Sequence, residues 1–281
     1  MNEVNIKQVS HYLIGMPQLS AVGLSEQWLL KECGHEHWLA LASALGCVKP
    51  EFKDEHGRKV YAAFVCLNIE NGKLNQVNEN DEIDIITSLI RISSTRSMSR
   101  HLVMKGNLVI ARVEMISTFV YREMAGNNQS VVRADMKGLA VSKDLQAQVL
   151  LSEHKTQRSL SHSSLGEYRY LPCPYTDFNG ADFLYFAAFQ SIADRAERYF
   201  TPATKLLSTI KRSIYYYGNV NIDDVVCVQC VAREISDSFM TTHLRMFRSS
   251  DGQVIGDIHT EKEFVVHDGI LWRQQALSEA V

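Results

Sequence analysis

The string DFNGADFLYFAAFQSIADRAE, spanning Asp177 to Glu197, is where the residue types of this chain come closest to a reactive arrangement. It sets Asp-x-Asn-Gly just ahead of an aromatic-rich helical pattern. The first turn of a helix carries unpaired backbone N–H groups and the positive end of the helix dipole. A carbonyl aimed there gains an oxyanion hole as negative charge develops on it. Gly180 would let the backbone approach a ligand closely. Asn179 could orient a carbonyl or carboxylate through its side-chain N–H. The plainer alternative is that Asp177 or Asn179 caps a buried helix, because caps favour these residue types. Leu184, Phe186, Ala187, Phe189 and Ile192 then form the core face of that helix.

Other reactive types are less suggestive. Cys227 and Cys230 make a C-x-x-C, but DDVVCVQCVAR alternates like a strand. Residues three apart on a strand point to opposite faces, so a shared metal or a disulfide is not expected. His35 and His37 are two apart on a helix, which separates their rings by about 200°. They are expected as partly exposed polar residues near a pocket mouth. Arg195, Arg198, Lys205, Lys211 and Arg212 form a basic group that could meet a phosphate or an acidic partner, or could simply be a solvated face. Tyr61 lies in a β-branched, aromatic strand, where tyrosine is a common structural residue. Tyr215, Tyr216 and Tyr217 are expected to pack or to line a pocket wall.

The elements that must position these residues come in a repeated order. Ser25 is a plausible cap for a helix from about Glu26 to Ala44, stopped at Gly46, with Gly34 inside it. Strands follow at Val60–Ile69, Asp81–Thr95, Arg100–Met104 and Leu108–Met124, with Lys105-Gly106-Asn107 as a hairpin turn. The second half gives a helix over Asp182–Tyr199, then strands at Lys211–Tyr217, Val225–Ile235, Phe239–Phe247 and Gln253–Val266. Met98–Met104 (MSRHLVM) returns 142 residues later as Met240–Met246 (MTTHLRM). His101 and His243, repeated with it, are expected to share one structural place in two equivalent strands. A half-length repeat suggests two copies of one unit packed as an internal pseudo-dimer, with a site where they meet. The expected division is 1–150 for the first unit, 151–174 for a polar crossover with some irregular structure, and 175–281 for the second.

A helix followed by a long antiparallel sheet, given twice, resembles the hot-dog fold, and the chain is expected to be an α+β double hot-dog. More closely, the Asp177–Glu197 string resembles the leinamycin-pathway acyltransferase/decarboxylase family of polyketide biosynthesis. Tyr217-Gly218-Asn219-Val220-Asn221-Ile222-Asp223 resembles that family's aromatic-x-Gly-Asn-x-Asp/Asn-x-Asp turn. Val60-Tyr61-Ala62-Ala63-Phe64 resembles its Tyr-x-Ala-Phe strand, and Gly15-Met16 and Trp38 also match. The resemblance runs from about residue 15 to 260.

That resemblance implies an enzyme that takes methylmalonyl-CoA, moves the acyl group through a tyrosine, decarboxylates it and loads propionyl onto an acyl carrier protein. Tyr61 matches the acylated tyrosine and, with Asn179, is the expected catalytic pair; Gly180, Asp177 and Tyr217 are the expected substrate-binding residues. A phenol, with an unperturbed pKa near ~10, needs activation to attack. No metal or cofactor is required beyond the CoA thioester substrate. Two alternatives stand beside it. One is a hot-dog thioesterase acting on acyl-CoA or acyl carrier protein, with Asp177 as base or nucleophile. The other is a non-catalytic carrier-protein binding module.

Bulk properties agree with an ordinary globular chain. Of its 281 residues, 46% are hydrophobic and 22% charged, and the formal net charge is −3. There is no basic footprint for nucleic acid or an anionic membrane. No signal-like segment or spanning run is evident, so a cytoplasmic location is expected.

Overall fold

The computed structural model describes residues 6–134, 141–201 and 206–265. Strand β1 (Ile6–Leu13) leads through a short turn and a two-residue ribbon, β2 (Leu19–Ser20) with β3 (Gly23–Leu24), into helix α1 (Glu26–Ala44). Strands β4 (Tyr61–Glu70), β5 (Glu82–Arg91), β6 (Arg96–Lys105), β7 (Leu108–Arg122) and β8 (Val131–Arg133) follow. Helix α2 (Leu145–Ser159) and strand β9 (Gly166–Tyr170) lead to helix α3 (Phe186–Phe200). The chain then gives β10 (Leu206–Tyr216), β11 (Val226–Ile235), β12 (Phe239–Arg248) and β13 (Val254–Val265).

One antiparallel sheet runs in the order β1-β5-β6-β7-β4-β10-β13-β12-β11-β9, with β8 extending it along β7. Read outward from its centre, each half repeats the other. β4 matches β10, β7 matches β13, β6 matches β12, β5 matches β11 and β1 matches β9. The halves join through β4 and β10, whose ladder is short: Cys66 pairs Tyr215 at one end and Ile69 pairs Arg212 at the other. Helices α1 and α3 lie together on one face of the sheet, and the main core forms between them and the strands. Leu29, Leu30, Ile192 and Ala193 have no exposed surface. Each large aliphatic among them contributes about 1.5–3 kcal/mol of burial. Helix α2 covers the opposite face, where Ala147 and Leu150 pack on Met98, Ile116 and Tyr215.

Local chemistry sets α1 as expected. Ser25 Oγ accepts from Trp28 N at 3.3 Å. Beyond the helix end, Gly46 takes φ 68° and Cys47 N donates to Ala42 O at 2.8 Å, a left-handed stop that favours glycine. Gly34 does not break the helix.

Several expectations need correction. The second helix starts at Phe186, four residues after Asp182, because Asp182 takes φ 58° and the chain turns before it can wind. The strand expected over Asp81–Thr95 ends at Arg91; β6 already starts at Arg96, with a turn closed by Ile92 N donating to Arg96 O. Residues 151–174, expected as crossover, hold the second part of α2 and all of β9, and β9 pairs with β11. β1 and β9 carry too few clustered β-branched and aromatic residues to stand out locally; pairing with β5 and β11 makes them strands.

The repeated histidines do not share a place. His101 faces α1: its Nε2 meets Ser99 Oγ at 2.8 Å, and Ser99 Oγ meets His37 Nδ1 at 2.7 Å. His243 faces the other side, bonded to Asp257 at 2.9 Å and edge-on to His162 beyond α2. In β12 it is Thr242, one residue earlier, that reaches its helix, through Glu197 at 2.7 Å. The ladders of β12 shift register between Cys230 and Ala232 and between Met246 and Phe247.

Candidate functional site

A cavity of about 1070 Å³ opens between the halves. Its wall includes every residue from Val60 to Val65. Neighbouring strand residues point to opposite faces, so a cavity on one face cannot touch them all. The explanation is the short central ladder: β4 and β10 pair only over Cys66–Ile69. Beyond that, Tyr61–Val65 and Tyr216–Asn219 part, and the cavity passes through the split sheet. Its wall is aromatic on one side, with Phe64 and Phe186 against Gly34 of α1 and Phe189 against Gly256 of β13.

The consecutive tyrosines divide as strand alternation requires. Tyr215 OH donates to Glu153 of α2 at 3.0 Å, while Tyr216 OH donates to the Phe186 carbonyl at 3.2 Å. Tyr217 returns to the α2 side, against the ring of His154 at 5.0 Å. Burial, then the nearby Asp257 carboxylate, pushes the Tyr217 phenol well above its usual range.

The DFNG segment forms a loop, not a cap. The α3 cap is Tyr185, which supplies no side-chain acceptor to the first-turn N–H groups. Asn179 Oδ1 accepts from Ala181 N at 3.0 Å and Phe183 N at 3.2 Å, an Asx-type turn. Asn219, on the strand side of the gap, accepts from Leu184 N at 2.9 Å and donates to Leu184 O at 3.0 Å. Asn128, from the first half, donates to Asp182 O at 2.5 Å and to Val220 O at 2.7 Å. Arg122 adds a bond to Ala181 O and lies 3.9 Å from the Phe183 ring centre. Both halves therefore fix the loop that leads into α3.

Of the residues singled out in the sequence, Tyr61, Asn179, Gly180 and Tyr217 line this one cavity. The Tyr61 ring meets Phe183 edge-on at 5.5 Å, with the Lys59 ammonium 5.3 Å from its centre. Gly180 has open space where a Cβ would stand. Asp177 lies elsewhere. Its buried carboxylate accepts from Tyr170 OH at 2.8 Å and Cys173 N at 2.7 Å, and its own carbonyl accepts from Tyr185 N. Asp177 thereby ties the loop to β9 and is not part of the cavity wall.

His37 departs from the expected exposed residue. It is fully buried, with Nδ1 on Ser99 Oγ and Nε2 on Ser117 Oγ, both at 2.7 Å. Burial holds its pKa down to about 3, so the ring is neutral at pH 7. Arg212, expected in a basic surface group, has no exposed surface and pairs with Glu26 and Asp194. Lys205 lies outside the described residues. Cys227 and Cys230 are buried free thiols. Among the described residues no cluster of three or more His, Cys, Asp or Glu could hold a metal ion, and no helix is long and apolar enough to cross a membrane. The sequence reading missed Asn128, His154, Arg133 and Arg158, all in the cavity wall. They sit in segments without a local motif and arrive by long-range packing.

An antiparallel half-sheet with its central helix, given twice and joined edge to edge into one sheet, defines a protein of the hot-dog fold. Solved structures of that fold match over nearly the whole chain. A protein described as an oleoyl thioesterase from Lactobacillus plantarum superposes with a TM-score of 0.66 at 10% identity, over 94% of this chain and 98% of its own. The 12:0-ACP thioesterase from Umbellularia californica gives 0.63 at 11% identity, over 92% and 94%. An acyl-ACP thioesterase from Bacteroides thetaiotaomicron gives 0.60 at 11% identity, over 92% and 98%. No model of a known protein family matches the chain, and no curated protein matches it. At these identities the structural likeness extends to the fold alone.

Proposed function

We propose that this protein cleaves acyl thioesters of CoA or of an acyl carrier protein in the cavity between its two halves. The observation that carries the reading is the meeting of an aromatic cavity with the start of α3, whose first-turn N–H groups receive no side-chain cap. A thioester carbonyl placed there would find donors and the positive helix end as its oxygen becomes anionic. In hydrolysis, water oxygen bonds to the carbonyl carbon and the C–S bond breaks. The water's protons end on the thiol and in solvent. Likeness in fold to thioesterases that act on acyl thioesters supports the same class of substrate. In this reading Asn179 and Gly180 shape the loop beside the reacting carbonyl, Tyr217 forms the far wall, and Asp177 holds the loop in place.

A second reading is acyl transfer through Tyr61, with decarboxylation of methylmalonyl-CoA and loading of propionyl onto a carrier protein. One observation favours it: Tyr61 stands in the cavity wall, whereas the carboxylate of Asp177 does not reach the cavity. Here the phenol oxygen bonds to the acyl carbon as CoA leaves with the phenol's proton. The C–C bond to the carboxylate breaks with release of carbon dioxide, and the enolate carbon takes a proton from solvent. A phosphopantetheine thiol later takes the acyl group and returns its proton to the phenol.

Incubation with acyl-CoA and with methylmalonyl-CoA, followed by thiol release, free acid and intact-protein mass, separates the two. Hydrolysis gives free acid with no lasting mass gain and survives Tyr61→Phe. Transfer gives an acyl-protein adduct that Tyr61→Phe abolishes. No thiol release from any acyl-CoA or acyl carrier protein would overturn both and leave a binding module.

A further inference from the structure

Three arginines converge where the cavity opens on the face covered by α2. Arg133 on β8 and Arg158 near the end of α2 both line the cavity and are exposed. Arg96 begins β6. The ladders set Arg96 opposite Thr118 and Arg133 opposite Val120 on β7. Residues two apart on a strand share a face, and so do directly opposed partners. Arg96 and Arg133 therefore stand side by side on the face where Thr118 and Val120 line the cavity. Tyr61, opposite Val120 on the other flank of β7, completes that patch.

His154, one helical turn before Arg158, sits among the three. Its imidazole pKa is lowered by burial and then by the charges of Arg96, Arg158 and Arg133. The His154 Nε2–H donates to the Tyr216 carbonyl at 3.0 Å. The Arg158 guanidinium lies 5.7 Å from the centre of the Tyr217 ring. Arg96 Nε is buried without a hydrogen-bond partner, and among the described residues none of the three arginines has an ion pair. Elsewhere the molecule pairs its buried cations closely, as Arg212 and Lys262 show.

We propose that Arg133 and Arg158, with Arg96 behind them, form a phosphate-binding subsite that takes a phosphate of the thioester's carrier group. Guanidinium forks match phosphate oxygens two at a time. Like charges gathered without a counter-ion repel, and an incoming phosphate anion relieves that repulsion. Phosphate is common to CoA and to the phosphopantetheine arm of a carrier protein, while an aliphatic acyl group has none. The subsite lies on the α2 side of the split sheet and the α3 start on the other side. A thioester threaded through the gap would hold its phosphate at the arginines and its carbonyl at the helix. This rests on the reading of the cavity as an acyl-thioester site.

Calorimetric titration with free CoA, 3′-dephospho-CoA, 4′-phosphopantetheine and pantetheine tests the subsite without any turnover. CoA and 4′-phosphopantetheine bind more tightly than pantetheine, and their affinity falls as salt rises. Arg133→Gln and Arg158→Gln each weaken the phosphate-bearing ligands about tenfold, the size of one charge-assisted hydrogen bond, and leave pantetheine unchanged. Lys155→Gln, exposed on the same helix and outside the cavity, changes nothing. Equal losses for CoA and 4′-phosphopantetheine assign the phosphate next to pantetheine, the one a carrier protein also presents. A loss confined to CoA, with 3′-dephospho-CoA spared, assigns the nucleotide 3′-phosphate and restricts the carrier to CoA. Failure of wild-type protein to bind any of the three phosphate-bearing ligands, or wild-type affinity in the double variant, overturns the subsite. A protein that binds CoA through these arginines but cleaves no thioester keeps the subsite and loses the enzymatic reading. One that cleaves acyl-CoA equally well in the double variant keeps the enzyme and loses the subsite.

Discussion

Gly34 and Phe186 meet where α1 crosses α3, and a Cβ on Gly34 would lie 2.6 Å from Cζ of the Phe186 ring. The pair has a counterpart. Gly34 is the ninth residue beyond the cap Ser25, and Asp194 is the ninth beyond the cap Tyr185. Phe186 and Glu26 are the first residues of the same two helices. One end of the helix pair thus has glycine against an aromatic ring and opens into the cavity. The other has Asp194 and Glu26 joined through Arg212, at 2.6 and 2.7 Å, with Lys262 bridging Asp194 and Glu197. Two pseudo-equivalent positions have diverged: one holds a cavity, the other is filled by buried ions.

Gly34→Ala should lose stability despite a better helix former at that position. The propensity gain is about 1 kcal/mol, while overpacking against an aromatic ring costs roughly 1–3 kcal/mol. A net loss of about 1 kcal/mol in urea unfolding is expected, together with lower turnover as Phe186 is pushed into the cavity. Phe186→Leu in the same chain should restore stability. No recovery in that double variant would show that the contact is not the cause.

Glu26→Ala should be far more costly, about 3–5 kcal/mol, because it leaves Arg212 buried beside fewer carboxylates. Glu26 does not line the cavity, so activity per folded molecule should be unchanged. Burial raises the Glu26 pKa, against the pull of Arg212. An activity loss in the folded fraction would contradict the assignment of this end as structural.

Asp177→Asn separates a structural from a catalytic carboxylate. The buried group accepts from Tyr170 OH and Cys173 N. Weakening those bonds should cost about 1–3 kcal/mol of stability. The shape of the activity–pH profile should remain that of the wild type. Loss of the acidic limb of that profile would instead identify Asp177 as a base.

Acid should unfold this protein early. Burial holds His37 and His101 down to about 3 from the usual 6.5. As pH falls through about 6.5 the unfolded chain takes up two protons that the native state refuses. Their contribution to stability is therefore complete above that pH and declines toward pH 3. The decline is about 1.4 kcal/mol per pH unit for each ring, roughly 3 kcal/mol per unit for both. Asp194, held down to about 2 chiefly by Lys262 and Arg212 against the opposing effect of burial, adds a loss only below its unfolded value near 4. Denaturant midpoints between pH 7 and pH 4.5 measure the slope. His101→Gln keeps a neutral hydrogen-bonding group and should lower the slope by about 1.4 kcal/mol per pH unit; an unchanged slope would assign the acid sensitivity elsewhere.

Helix α1 was legible in the sequence because its limits are local. Ser25 caps it, Gly46 stops it, and both act within one turn. The strand runs and the doubled order of elements were legible for the same reason, since composition and alternation are properties of neighbouring residues. Tyr61, Asn179, Gly180 and Tyr217 could be named from motifs, and they do share one cavity.

What the sequence could not specify depends on residues far apart. The MSRHLVM and MTTHLRM strings mark matching strands, yet His101 bonds toward α1 and His243 toward Asp257 on the other face. The start of α3 depends on Asn219 and Asn128 gripping the preceding loop from 35 and more than 50 residues away. The cavity exists because the β4–β10 ladder stops at Cys66 and Tyr215. Local sequence determined the elements and their doubled order, since capping and alternation act over a few residues. Register, facing and the split in the sheet were decided only by tertiary structure, since each is fixed by pairing across the chain.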